Sequence, residues 1–272
     1  MHATTYPQPQ PLPDEFAEPL ARAAGRLGPF ARDIVWYADV PSTSDLAASL
    51  AERGAREGCL VLANAQSAGR GRQGRSWVSP AGAGLYVSAV LRPAPQAVPL
   101  LSISAGLAVV EGIQAATGLH LHLKWPNDVY VGERKVAGVL AEASITVGTS
   151  AVQYVVLGFG INVMPAAFPP DIAPRATSLE EELGRAVDRG LLLAECLASL
   201  AERYADVQSG RQRAVVDAWR ARAAHTLGRR VRWDGVGTVL EGVAEDIDEG
   251  GGLMVRTNTG IVRITAGEVT WL

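Results

Sequence analysis

Lysine is almost absent from this chain. Of 25 basic residues only Lys124 and Lys135 are lysine, and every other one is arginine. Chance would place two survivors somewhere. The functional alternative is that arginine cannot replace a compact ammonium at these two positions, which lie close together. Cysteine is nearly absent too. Cys59 and Cys196 are far apart and form neither a CxxC nor a metal-ligand spacing, which excludes a disulfide framework and fits a reducing cytoplasm. No strong basic excess exists: the formal net charge is -3, which argues against a general nucleic-acid or anionic-membrane binder. No apolar run reaches the roughly 18 residues of a membrane span. The start, MHATTYPQPQPLPDEF, lacks a basic region followed by an apolar stretch, so no secretion signal is read.

What is present is a globular composition. The chain has 272 residues, 48% hydrophobic and 19% charged, enough for one sizeable core and a small appended domain. Residues 1–30 read as a Pro-rich lead-in, mobile at its start. Residues 34–40 (IVWYADV) read as a strand, and Pro41-Ser42-Thr43-Ser44-Asp45 supplies helix-start chemistry for the segment after it. Strands are expected at 59–65 and 85–91, with a long glycine-rich loop over 66–84. An apolar helix is expected over 99–118, a strand over 119–124, then β segments near 128–145 and 152–163. Residues 189–225 carry helical spacing. From Gly228 the pattern turns all-β. The expected fold is α+β: a mixed, mostly antiparallel sheet with packed helices over 31–225, and a small C-terminal β-barrel over 226–272.

Four segments carry chemistry. Residues 66–77, QSAGRGRQGRSW, interleave Arg70, Arg72 and Arg75 with Gly69, Gly71 and Gly74. Arginine offers bidentate contacts to phosphate or carboxylate, and glycine allows close backbone approach. The bland reading is a solvated loop or an RNA-binding RG patch. The letters match GxGxxG, but no helix opens after them, so a dinucleotide fold is not supported. Lys124-Trp125-Pro126-Asn127-Asp128 can present an amide and a carboxylate at a strand edge; alone it reads as an ordinary turn. Lys135-Val136-Ala137-Gly138 starts an apolar strand with an ammonium and a bare glycine. Gly158-Phe159-Gly160-Ile161-Asn162 ends the next one, either as room for a flat ligand or as a bulge. His2, His120, His122 and His225 show no convincing metal-ligand spacing.

Together and in this order, Ser42-Thr43-Ser44, GRGRQGRSW, KWPND, KVAGV and GFGINV closely resemble the biotin protein ligase family, from about residue 35 to the C-terminus. The resemblance implies a catalytic domain of the kind shared with class II aminoacyl-tRNA synthetases and lipoyl ligases, plus an SH3-like C-terminal domain. It implies two steps: biotin and MgATP give biotinyl-5′-AMP and pyrophosphate, and the acyl group then passes to a lysine of a biotin carboxyl carrier protein. By the motif match, Ser42, Thr43, Ser44 and Gln66 would hold the biotin ring, with Gly138 and Gly158 beside it. Gly69, Arg70, Gly71 and Arg72 would line the carboxylate region and form the closing loop. Arg75, Asn127, Asp128 and Asn162 would face ATP or the adenylate, and Trp77 would cover biotin or the adenine. Lys135 would contact the carboxylate and the α-phosphate, and Lys135, Arg70, Arg72 and Asp128 would be catalytic.

Ser44 departs from the family, which usually has Asn there. The winged-helix DNA-binding domain of bifunctional members does not fit the Pro-rich 41 residues before Ser42, so a ligase without repressor function, DNA or membrane partner is expected. No protein metal site is assigned, and a monomer and a sheet-edge homodimer both stay open. The rival readings are a lipoate or octanoate ligase of the same superfamily, a nucleic-acid-binding regulator using the arginine loop, and a binding module without catalysis.

Overall fold

In this computed structural model, residues 7–146, 148, 151–166, 168–223, 225–235 and 238–272 are described. The main sheet has seven strands: β1 (Ile34–Tyr37), β2 (Leu60–Ala63), β3 (Gly84–Leu91), β4 (His122–Lys124), β5 (Asp128–Val131), β6 (Arg134–Ile145) and β7 (Val152–Asn162). Their order is β1-β2-β3-β7-β6-β5-β4. β1 and β2 run parallel, as their helical crossover requires. The other five pairings are antiparallel. The stretch expected as one β segment near 128–145 is two strands, because Gly132 takes a positive φ of 54° and turns the chain.

Helices cover the sheet. The crossover helix α2 (Thr43–Glu52) is capped by Ser42, whose hydroxyl accepts from the Asp45 amide at 3.3 Å. Helix α3 (Leu101–Thr117) closes on Gly118 at φ 78°. With the turn before it, it spans Pro95–Thr117, long and apolar enough by composition to cross a membrane, although no unbroken apolar run signalled this. Most of it is buried in the core instead. It packs on α5 (Arg189–Gln208), where Gly112 meets the backbone of Cys196 so closely that no Cβ would fit. A short helix α4 (Leu179–Leu183) precedes α5, and α6 (Gln212–Arg222) follows it.

The lead-in is more ordered than its prolines suggested. Residues Asp14–Ala23 form helix α1, burying Phe16, Leu20 and Ala23 on one stripe against α5. Pro19 lies inside it and cannot donate to the Glu15 carbonyl. Gly190 of α5 packs against that same carbonyl, in space a side chain would fill. The mobility expected for the extreme N-terminus falls on residues 1–6, outside the described residues.

Beyond residue 228, β8 (Arg230–Gly235), β9 (Thr238–Ile247), β10 (Leu253–Thr257), β11 (Gly260–Ile264) and β12 (Val269–Trp271) form an antiparallel sheet ordered β11-β10-β9-β8-β12. Its inward residues Val231, Ala244, Leu253, Val255 and Val269 join the same buried cluster as the main core. Trp125, fully buried, donates its indole N–H to the Gly251 carbonyl at 2.8 Å, and Arg220 binds Asp246. The small sheet is thereby fixed at the end of the main sheet where the KWPND segment lies.

Candidate functional site

Strand register builds the floor of the site. Lys124 pairs Asp128, Asp128 pairs Gly138, and Gly138 pairs Gly160, so these residues form one row across β4, β5, β6 and β7. Gly158 is two residues from Gly160, on the same face, between Ser88 and Leu140. Three glycines therefore leave a strip of sheet without side chains. The indole of Trp77 lies on it: a Cβ on Gly160 would sit 2.5 Å from Trp77 Nε1, and one on Gly138 would sit 3.2 Å from Cζ3. Trp77 Nε1 is buried and unpartnered. Such an orphan donor costs roughly 1–3 kcal/mol, and a ligand acceptor on the strip would satisfy it.

At one end of the strip lies a buried polar chain. Ser44 Oγ bonds Ser88 Oγ at 3.1 Å, and Ser88 Oγ donates to Thr43 Oγ1 at 2.9 Å. Gln66 Oε1 accepts from Thr43 N at 2.8 Å and from Thr43 Oγ1 at 3.0 Å. Gln66 Nε2 donates to Ser79 Oγ at 2.8 Å. These short donors and acceptors suit a small polar ring. Ser44 is integrated here through Ser88. A Cβ on Gly158 would come within 3.0 Å of Ser44 Oγ.

Next along the cleft stand the charges. Lys135 Nζ lies 2.7 Å from Asp128 Oδ1 and 5.3 Å from the centre of the Trp77 ring. Arg72 Nη1 donates to Asn127 Oδ1 at 3.3 Å, and Asn127 Nδ2 donates to the Val139 carbonyl at 2.5 Å. Burial pulls the Arg72 pKa down against the opposing pull of Asp128 and Glu268, so a second anion near it is favourable. Arg70 is bound to both Asp45 and Glu142, and Arg75 to Glu268 of the small sheet. Burial would raise the Glu268 pKa, but Arg75, Lys124 and Lys135 outweigh it and hold it low.

The cleft encloses about 130 Å³, and its lining includes Thr43, Gln66, Arg72, Trp77, Lys124 and Asp128. Arg70, Gly71, Arg72, Gln73, Arg75 and Ser76 also wall an open groove of about 850 Å³ toward the small sheet. The arginine loop is thus a partition between the two spaces. Its turn is sharp: Gln73 has φ 55° and Gly74 φ 73°.

Most residues singled out from the sequence meet here: Thr43, Ser44, Gln66, Arg70, Gly71, Arg72, Arg75, Trp77, Asn127, Asp128, Lys135, Gly138 and Gly158 all line the cleft. Three do not. Ser42 is spent as the α2 cap. Gly69 packs against the Trp77 and Ser79 segment, where no Cβ fits. Asn162 donates to the Thr177 carbonyl at 2.9 Å, away from the lining. Sequence reasoning missed Ser88, the one serine of a mostly apolar strand, and Glu268, which carries no local signal. Among the described residues no cluster of three His, Cys, Asp or Glu could hold a metal.

Comparison with known proteins settles the family. Residues 36–162 match the Biotin/lipoate A/B protein ligase family, and residues 226–270 match the Biotin protein ligase C terminal domain. The chain belongs to the biotin protein ligase family. It is 33% identical over 261 residues to the Bifunctional ligase/repressor BirA of Bacillus subtilis, covering 94% of this chain and 79% of the relative. It is 36% identical over 238 residues to the Biotin--[acetyl-CoA-carboxylase] ligase of Mycobacterium tuberculosis, covering 85% of each. The biotin protein ligase of Aquifex aeolicus, solved in complex with biotin and ATP, superposes with a TM-score of 0.77 at 32% identity, over 89% of this chain and 99% of that one.

Proposed function

We propose that this cleft carries both half-reactions of biotin transfer: synthesis of biotinyl-5′-AMP from biotin and MgATP, then acylation of a lysine on a biotin carboxyl carrier protein. The continuity of the cleft supports this most directly. The buried Ser44-Ser88-Thr43-Gln66 chain passes, over a glycine floor, into the group formed by Arg72, Asn127, Asp128 and Lys135. A ligand with a polar ring, an apolar tail and a carboxylate fits that order. Magnesium enters with ATP as substrate.

Biotin's carboxylate is ionised at pH 7, so the first step needs no base. Its obstacle is electrostatic, an anion approaching a polyanion. Lys135 and Arg72 offset that repulsion and stabilise charge developing at the α-phosphorus. Asp128 holds Lys135 in place before substrate arrives and is the group placed to orient or deprotonate the acceptor amine. Arg70, anchored to α2 and β6 through Asp45 and Glu142, pins the near end of the loop. Arg72, held only by the neutral Asn127 amide, is then the loop arginine without a carboxylate partner among the described residues and the one that turns most readily toward ligand. The cleft is smaller than the roughly 300–1,000 Å³ of typical ligand pockets, so Trp77 and the loop must shift on binding and reclose to protect the anhydride from water. Two buried free thiols are compatible with a reducing cytoplasm, the compartment we propose for the reaction.

The test is transfer. Incubated with biotin, MgATP and an apo carrier domain, the protein should add one biotinyl group to the carrier by mass spectrometry. A carrier that stays unmodified, or is modified equally after its acceptor lysine is changed to Arg, would overturn the proposal.

A further inference from the structure

Lys124 is the lysine that the mechanism above leaves unused. It ends β4 opposite Asp128, is 92% buried and lines the cleft. The other cleft cations are engaged: Arg70 with Asp45 and Glu142, Arg75 with Glu268, Lys135 with Asp128, and Arg72 with the Asn127 amide. Among the described residues no carboxylate lies within ion-pair distance of Lys124. Its ammonium instead sits 4.6 Å from the centre of the Trp271 ring and 5.6 Å from that of Tyr130. Arg229 stands 4.5 Å from the same Trp271 ring. A buried ammonium without a counter-ion is costly, and aromatic faces offset that cost only in part. Burial accordingly pulls its pKa down, although Asp128 and Glu268 pull the other way. An anion is the missing partner.

The position along the cleft says which anion. From the serine chain, charges appear in the order Lys135 and Arg72, then Lys124 and Arg75 beside the small sheet. In adenylation a biotin carboxylate oxygen attacks the α-phosphorus. The bond from that phosphorus to the bridging oxygen of the β-phosphate breaks, and pyrophosphate departs with the electron pair. An in-line displacement puts the leaving group on the side away from the carboxylate. We propose that Lys124 binds this leaving pyrophosphate and so contacts substrate in the adenylation half-reaction. The proposal rests on the ligase reading of the same cleft. It also explains why the two lysines of the chain both lie here: two compact ammonium groups, one at the α-phosphate and one at the leaving group.

The experiment splits the half-reactions. Lys124→Met keeps the stem over Trp271 and removes the charge. In pyrophosphorolysis of biotinyl-5′-AMP, its KM for pyrophosphate should rise at least tenfold, and the KM for ATP should rise with it. Transfer from preformed biotinyl-5′-AMP to the carrier should stay within threefold of the parent, and Lys124→Arg should recover part of the loss. A pyrophosphate KM within threefold of the parent, or equal loss in both half-reactions, would refute the proposal; equal loss is what a purely structural brace predicts. A second measurement needs no variant at position 124. Lysine labelled with carbon-13 at Cε gives two side-chain signals, assigned with Lys135→Arg. The Lys124 signal should move on addition of inorganic pyrophosphate, and a stationary signal at saturating pyrophosphate would refute the assignment. Failure of the ligase reading itself would show separately, as no biotinyl-AMP formed by the unaltered protein.

Discussion

Replacing Lys135 by alanine separates chemistry from stability. Lys135 and Asp128 stand 2.7 Å apart with side chains 29% and 15% exposed, between the surface and fully buried cases. Exposed pairs contribute about 0–1 kcal/mol, and breaking buried ones costs about 3–5 kcal/mol. Leaving Asp128 without Lys135 should therefore cost about 1–2 kcal/mol. For a chain of this size that lowers Tm by about 2–8 °C. The catalytic loss should be larger. A preorganised group acting on developing oxyanion charge contributes about 3 kcal/mol, so adenylation should slow by roughly 100-fold or more. The two effects can be uncoupled. In Lys135→Ala with Asp128→Asn no unpaired carboxylate remains, so Tm should largely recover while adenylation does not. Initial rates of adenylate formation and thermal melts on the same preparations give both numbers. Adenylation within about threefold of the parent in Lys135→Ala, or rescued in the double variant, would remove Lys135 from the mechanism.

Other expectations follow from particular contacts. Gly160→Ala places a methyl group 2.5 Å from Trp77 Nε1; the indole must leave the glycine strip, and the KM for biotin should rise at least tenfold by steady-state assay, with an unchanged KM refuting the floor. Arg72→Gly removes the loop's hold on Asn127 and should let biotinyl-5′-AMP escape, detected as adenylate passing an ultrafiltration membrane; retention equal to the parent would refute the lid assignment. Gly112→Val drives a side chain into the Cys196 backbone and should destabilise the fold by about 1–3 kcal/mol in urea titrations. His122 is buried and stacked 3.6 Å from His225, and burial followed by the facing His225 lowers its pKa to about 4. The unfolded chain takes up a proton near pH 6.5 that the folded protein refuses, so stability should fall by up to about 3 kcal/mol as pH drops from 6.5 to 4. His122→Phe should flatten that slope, and an unchanged slope would assign it to other groups.

The sequence spoke clearly where local rules decide the outcome. The helix start within residues 41–45, the Gly118 helix end and the strands flanking the arginine loop follow from residue type and spacing. The lysine scarcity led directly to two cleft residues. Less legible was what tertiary partners determine. Helix α1 forms despite Pro19 in its interior, with its buried stripe packed on α5, a partner no local rule supplies. Arg70 lines the cleft as its motif suggested, but its ion pairs with Asp45 and Glu142, distant in sequence, follow from no local rule. Asn162 lies beside the GFG glycines but is turned to Thr177 by the chain that follows. Glu268 enters the cleft from the far end of the polypeptide, so no spacing rule could have placed it there. The glycine row is an intermediate case. Each glycine was visible, but their alignment beneath Trp77 depends on strand register.

ATP–pyrophosphate exchange reads out adenylation of the acid in this cleft, with biotin, lipoate and octanoate supplied separately to the purified protein. Exchange that appears with biotin and is at least 100-fold slower with either of the others is the result expected from the serine-lined pocket joined to Lys135 and Arg72. Equal or faster exchange with lipoate or octanoate, or none with biotin, would contradict it.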